Sequence, residues 1–268
     1  MSAKQNAERG CGSWSAAVSA CALVAAVAMS ACDQNVYLGN VGDGSASLLW
    51  SATFERGDLS EWTGDGQGGS FNDVNLLATV TTDVAHGGRY AGLLTLAPTA
   101  GMTSTNYLFR DTPSPTAAYY SAWFYIPSTV VVGTWLSLTH FRGSPTGDGN
   151  NPSAAWDVNL YPRPDGSLSA QLFDYSKRIN MQELNPVPVP LDTWVQFEVY
   201  FVKATDATGQ IQVWQDGTLI IDHPGVQTVK NDWLQWDAGG ACDALTSSPA
   251  SVYIDDATIS TVRVGTGL

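Results

Sequence analysis

The sequence predicts an all-β fold, a sandwich or jelly roll of two antiparallel sheets, and three observations lead there. Short apolar alternations of period two recur from about residue 48 to the end. Gly, Pro, Asn and Asp interrupt them at short intervals, and no convincing run at helical spacing intervenes. Many short strands joined by tight turns bury their apolar faces best as two packed sheets. Of 268 residues, 44% are hydrophobic and 10% aromatic, a size and composition that all-β sandwiches fill as one unit.

The clearest strands are "YYSAWFYI" (119–126), "TWLSLTHF" (134–141), "AAWDVNLY" (154–161), "SLSAQLFDY" (167–175), "TWVQFEVYFV" (193–202), "GQIQVWQ" (209–215), "TLIID" (218–222) and "SVYIDDATIS" (251–260). Two turns carry their own chemistry. "RPDGS" joins the third of these strands to the fourth, and Asp216-Gly217 closes a two-residue hairpin between "GQIQVWQ" and "TLIID". "NPVPVP" (185–190) lacks the amide hydrogens to pair inside a sheet and reads as a bridging loop.

Residues 1–31 stand apart. Lys4 and Arg9 precede the apolar "SAAVSACALVAAVA", and "MSAC" ends the run with small residues at Cys32. The pattern resembles a bacterial lipoprotein signal, which implies lipidation of Cys32 and a place in the cell envelope. Cleavage without lipid, and hence secretion, stays open. The stretch is short for a membrane span and ends in a processing-like site. The polar, Gly-rich segment up to residue 47 reads as a tether, leaving 48–268 as the folded domain. The formal charge is −13, and charged residues are only 14% of the chain, which argues against a nucleic-acid partner. No cysteine spacing suggests zinc. A monomer is expected.

Alternation carries the functional reading, because successive side chains of a strand point to opposite faces. One face of each main strand is apolar. The other holds Tyr119, Ser121, Trp123 and Tyr125; Asp157, Asn159 and Tyr161; Gln171, Phe173 and Tyr175, continued by Lys177; and Trp194, Gln196, Glu198 and Tyr200. Aromatic platforms among amides and carboxylates match what a polysaccharide offers, an apolar C–H face and a rim of hydroxyls. The opposite reading, in which these aromatics form the core, stays open.

Several segments together, "FERGDLSEW" (54–62), "AHGGRYAGLLTL" (85–96), "YYSAWFYIP" (119–127), "GQIQVWQDGTLI" (209–220) and "VYIDDATIS" (252–260), resemble the concanavalin-like jelly-roll polysaccharide lyases of the heparin lyase I-like, alginate lyase-like and glucuronan lyase-like groups. The resemblance implies a structural calcium site, carried over to Glu55 with Asp256 or Asp255; the two aspartates are adjacent, so at most one should reach the ion. It also aligns His140 of "LTHFRG" with the functional histidine of a "Gln-Ile-His" element, although Leu138 and Thr139 replace its first two residues.

Removing the proton α to a sugar carboxylate needs a group to neutralise that carboxylate, a base, and an acid for the leaving oxygen. His140 and Arg142 share a strand face and could flank one carboxylate; Tyr161 or Tyr175 could serve as base or acid, and Arg110 of "NYLFR" is a further clamp. Arg89, Arg110, Arg142, Arg163, Lys177 and Arg178 fall within 89–178, so an acidic chain could still own a positive groove. Two lyase elements are absent. "NDWLQWDAGGACDAL" has no Tyr where the alginate lyase-like group carries a late catalytic one, and an early "Arg-x-Glu-x-Arg" strand is missing. These absences argue against classical alginate lyase activity and leave a glucuronan lyase-like or heparin lyase-like variant, or a non-catalytic relative, as the better fit; the leading expectation is an envelope-anchored lyase cleaving a uronate-containing polysaccharide. A glycan-binding lipoprotein without catalysis, with His140 structural, is the alternative.

Overall fold

A computed structural model describes residues 47–265, except 74–76, 100–101, 112–113, 182–183, 185–186 and 247. The signal-like leader, Cys32 and the tether up to residue 46 lie outside the described residues. The strands are β1 (Leu48–Ala52), β2 (Gly68–Asn72), β3 (Thr79–Thr81), β4 (Ala91–Leu96), β5 (Ser104–Arg110), β6 (Ala117–Tyr125), β7 (Leu136–Gly143), β8 (Ser153–Pro162), β9 (Leu168–Asp174), β10 (Ile179–Met181), β11 (Trp194–Val202), β12 (Gly209–Gln215), β13 (Thr218–Val226), β14 (Gln235–Cys242) and β15 (Ala250–Ser260); one helical turn, α1 (Ser60–Thr63), follows β1.

They form two antiparallel sheets. One runs β13-β12-β11-β6-β15-β4-β3, with β1 also paired to β15; the other runs β10-β9-β8-β7-β14-β5-β2. This is the jelly-roll sandwich expected from the alternations. Asp216 (φ 46°) and Gly217 (φ 77°) close the β12–β13 hairpin with both residues left-handed, as a two-residue turn of this hand requires. The Arg163 and Gly166 amides close the β8–β9 turn onto Ser167 and Arg163 carbonyls.

The apolar faces meet between the sheets. Leu138, Phe141, Trp156 and Val158 pack there against Tyr120, Phe124, Phe197 and Phe201, and the Phe141 and Phe201 rings stack at 4.5 Å. Burying each such side chain contributes about 1.5–3 kcal/mol. The aromatics of the opposite strand faces are therefore not the core.

β14 has no counterpart among the expected strands. Its "QWDAGGAC" lacks the apolar alternation that marks the other strands, yet it is a central strand between β7 and β5. A Cβ at Gly239 would come within 2.6 Å of the Tyr107 main chain, so the small residue is what lets β5 lie close.

The polar-aromatic faces, one set in the sequence, are two in space. β6 and β11 belong to the eight-stranded sheet, β7, β8 and β9 to the seven-stranded one. Tyr119, Trp123, Tyr125, Trp194 and Gln196 thus look outward on the far side of the sandwich from His140, Asp157, Asn159, Gln171 and Tyr175.

Candidate functional site

The outer face of the seven-stranded sheet is built around one row. His140 on β7 stands in register with Asp157 on β8 and with Asp237 on β14. Directly opposed residues on neighbouring strands hold their Cβ atoms about 5 Å apart, so three ionisable side chains are forced together. Two residues beyond His140, the Arg142 Nε donates to Asp237 Oδ2. The Arg142 guanidinium also lies 4.8 Å from the centre of the Tyr107 ring on β5. That ring is 5.8 Å from the His140 ring and stacks on Phe71 of β2 at 5.2 Å. From beyond the end of β9, Tyr175 returns its hydroxyl to Asp157, donating to Oδ2 at 2.7 Å.

Burial sets the charges. His140 is 3% exposed, and neither ring nitrogen makes a hydrogen bond; its Nδ1 lies 3.4 Å from Asp157 Oδ1, an oxygen that also lacks a partner. Burial, with Arg142 adding to it, pushes the imidazole down to about 3, so it is neutral. Burial lifts the Asp157 carboxyl to about 7 despite the Tyr175 hydrogen bond. It lifts Asp237 to about 6, against the pull of Arg142 and of Gln235, whose amide donates to Asp237 Oδ1 at 2.6 Å. Burial also raises Tyr175 and Tyr107, each helped by a nearby carboxylate, Asp157 and Asp237 respectively, so both phenols keep their protons. Burial works against the Arg142 charge, but Asp237, Tyr107 and Asp157 together more than offset it and raise its proton affinity.

The arrangement offers a neutral imidazole with free nitrogens, a phenol ready to give a proton, and a carboxyl near neutrality beside both. Asn159 and Gln171 stand opposite each other on the same face. Tyr161 lies four residues along β8 from Asp157, about 13 Å away, where its hydroxyl donates to Asn180. Of the two tyrosines named as base or acid, only Tyr175 joins the His140 row.

Arg110 points the other way: its guanidinium forms a two-pronged ion pair with Asp65 at 2.8 Å and lies 5.0 Å from the Trp50 ring centre. Lys177 pairs with Asp174 at 3.3 Å. Of the cations expected to make a positive groove, Arg110, Arg142 and Lys177 are each paired with a carboxylate.

Tyr107, Gln235 and Asp237 were not named from the sequence. "NYLFR" alternates, so the same segment that yields Arg110 places Tyr107 and Phe109 on the opposite face. "QWDAGG" likewise puts Gln235 and Asp237 together once β14 is read as a strand.

On the outer face of the eight-stranded sheet, Trp123 is 8% exposed, with the His86 ring stacked on it at 3.8 Å. Trp194 meets His86 edge-on at 5.8 Å and Tyr125 at 5.7 Å; Tyr119 stacks near Tyr200 at 4.7 Å. Gln196 is buried, donating to Ser121 Oγ and to the Gly265 carbonyl.

Beside this face, Glu55, Asp255 and Asp256 all reach the loop 86–90. Glu55 Oε1 accepts from the Arg89 and Tyr90 amides at 2.8 Å, and Asp255 Oδ2 accepts from the His86 amide at 2.9 Å. Asp256 Oδ2 lies 2.6 Å from His86 Nδ1. Only one aspartate was expected to reach this place. A β-bulge between Asp255 and Thr258, with Asp256 at φ 43°, turns both toward the loop. Burial, and then Asp256, lifts the Asp255 carboxyl to about 8. Among the described residues, no three His, Cys, Asp or Glu side chains converge as a metal set.

Comparison with known proteins supplies the family. The endo-β-1,4-glucuronan lyase of the fungus Trichoderma reesei is similar in structure, with a TM-score of 0.60, 15% identity, and coverage of 81% of this chain and 96% of that one. An alginate lyase from Chlorella virus gives 0.54 and 13%, covering 80% of this chain and all of that one (100%). A marine alginate lyase from Aplysia kurodai gives 0.55 and 11%, with 81% and 100% covered. At these identities the likeness speaks for the fold. No curated protein matches the sequence. The family model for polysaccharide lyases matches residues 54–258, most of the chain, and on that ground the chain belongs to the polysaccharide lyase family.

Proposed function

We propose that the outer face of the seven-stranded sheet cleaves a uronate-containing polysaccharide by β-elimination, with His140 as base and Tyr175 as acid. The observation that carries this reading is the row of His140, Asp157 and Tyr175, where buried nitrogens and an oxygen stand without partners beside a protonated phenol. Leaving such groups unmade costs about 1–3 kcal/mol each, which a substrate would relieve. In the reaction the bond from the α carbon to hydrogen breaks and its proton passes to a His140 nitrogen. A carbon–carbon double bond forms as the bond to the leaving oxygen breaks, and Tyr175 protonates that oxygen. A uronate carboxylate entering beside His140 raises its affinity for a proton, reversing part of the depression that burial imposes. Asp157 accepts the Tyr175 hydroxyl and orients it; Arg142 and the Tyr107 hydroxyl hold the substrate carboxylate.

A calcium ion of the kind the family likeness implies would be held by Glu55 with Asp255 or Asp256, and it would fix the loop 86–90 without entering the chemistry. The oxygen donors come from Glu55 and one of the two aspartates at the loop 86–90, and at Gly88 a Cβ would come within 2.3 Å of the Glu55 carboxyl. Main-chain carbonyls would complete the set. In the cell the enzyme acts at the envelope, held through Cys32 by the leader pattern. A single acyl chain would give marginal binding, so stable anchoring needs more than one.

One observation favours a second reading. Arg142 is committed to Asp237 and faces a second carboxyl, Asp157, so the face sets two acids against one cation. That balance suits a module that binds polysaccharide without cutting it. Ultraviolet absorbance of the unsaturated product separates the two, using purified protein with calcium and a panel of glucuronans, alginates and glycosaminoglycans. Rising absorbance supports elimination; retardation in an affinity gel without product supports binding alone.

A further inference from the structure

A cavity of about 310 Å³ opens at the ends of β7, β8 and β9, where the segment 225–230 crosses the mouth between the two sheets. It is lined by the inner-face side of the strands: Trp156, whose indole donates to the Thr228 carbonyl at 2.9 Å, and Asp174, the β9 residue in register with it. His140, Asp157 and Asp237 point away on the opposite face of the same sheet. The cavity centres away from the His140 row, with Tyr175 in both and Ala154, in register with Arg142, between them.

Its chemistry is specific. Asp174 is 1% exposed; one carboxyl oxygen accepts from the Ser176 amide and hydroxyl and the Lys177 amide, while Oδ2 accepts no hydrogen bond and has the Lys177 ammonium 3.3 Å away. Outside the lining, His223 packs edge-on against Trp156 at 5.8 Å. The exposed Lys230 lines the rim. Two ammonium groups against one carboxylate leave a positive excess. Trp156, Val226 and Val229 add apolar wall.

We infer that this cavity binds one sugar ring bearing an acidic group, a uronate unit, as a site distinct from the place of cleavage. The volume sits at the low end of ligand pockets, about 300–1,000 Å³, which suits a single ring rather than an oligosaccharide. The apolar wall takes the C–H face, Asp174 Oδ2 accepts a ring hydroxyl, and Lys177 and Lys230 meet the carboxylate. The inference stands on the cavity's own groups and does not require that His140 be catalytic.

The test is ligand-observed NMR titration of the full chain with D-glucuronate and, separately, D-glucose. Saturable glucuronate binding is expected, at least fivefold tighter than glucose. Lys230→Gln, a surface change that leaves folding intact, should weaken glucuronate by about fivefold or more and leave glucose unchanged. Ala154→Met, which fills the cavity, should abolish both, with the melting temperature checked alongside. His140→Ala should leave binding as in the parent protein. Absence of saturable binding, equal affinity for the two sugars, indifference to Lys230→Gln, or loss on His140→Ala alone would each overturn the inference. The last would place the bound sugar in the cleft instead.

Discussion

On the outer face of the eight-stranded sheet, the ionisable groups among the aromatics have found partners. Glu198 accepts from Arg263 Nε at 2.8 Å and from the Val264 amide at 2.7 Å, and Gln196 is fixed by Ser121 and Gly265. The atoms left over there, Trp123 Nε1 and Thr258 Oγ1, are neutral. On the outer face of the seven-stranded sheet, the leftover atoms include, beside the neutral Asn159 Oδ1, both nitrogens of His140 and an oxygen of Asp157, a buried acid and base side by side. Both faces present the same residue types to a reader of the sequence. What separates them is satisfaction: a stable fold has little reason to keep ionisable groups buried and unpaired unless something else completes them.

Four measurements bear on that contrast. His140→Ala should lower the elimination rate by about 10²–10⁴-fold, the usual worth of a positioned proton-transfer group, while Trp194→Ala on the other face leaves it little changed; initial rates of absorbance increase read both. Asp237→Asn should destabilise the fold by about 3 kcal/mol, because it strands Arg142 beside buried surface. The matching change on the other face, Glu198→Gln, should cost less, about 1 kcal/mol, since Arg263 is 35% exposed and screened by solvent. Denaturant midpoints measure the pair. Calcium at a hundredfold its dissociation constant should add about 2.7 kcal/mol, read as a rise in melting temperature that Glu55→Gln removes and His140→Ala does not.

The remaining contrast is the pH dependence of Asp157. Its folded carboxyl titrates at about 7, against 3.8 for the ordinary group. Between those values the native state holds a proton the unfolded chain has lost, so stability falls as pH rises through that window. Asp157→Asn removes this contribution. The variant should therefore gain on the parent protein as pH rises from about 4 to about 7, with a constant gap above, in melting curves at each pH.

The fold was legible because period-two alternation and turn residues are local, and the strands with strong apolar content stand out. β14 escaped because its glycines answer to a neighbour, the Tyr107 main chain, that the sequence does not show. His140, Asp157 and Tyr175 were legible one by one from alternation. Their union with Tyr107 and Asp237 was not, since alternation gives the face within a strand and says nothing of which sheet that strand joins. The same blindness put Tyr119, Trp123, Tyr125, Trp194 and Gln196 in one imagined groove with His140. Arg110 misled for a related reason: its charge suited a carboxylate clamp, but its place in the alternation turned it toward Asp65.

Following unsaturated-product absorbance on a glucuronan, with the parent protein, Tyr175→Phe and Tyr125→Ala side by side, compares the two faces most directly. If cleavage occurs on the seven-stranded sheet, the parent and Tyr125→Ala generate product and Tyr175→Phe, still folded, does not. Product formation that survives Tyr175→Phe but disappears with Tyr125→Ala would contradict that placement and move the reaction to the other side of the sandwich.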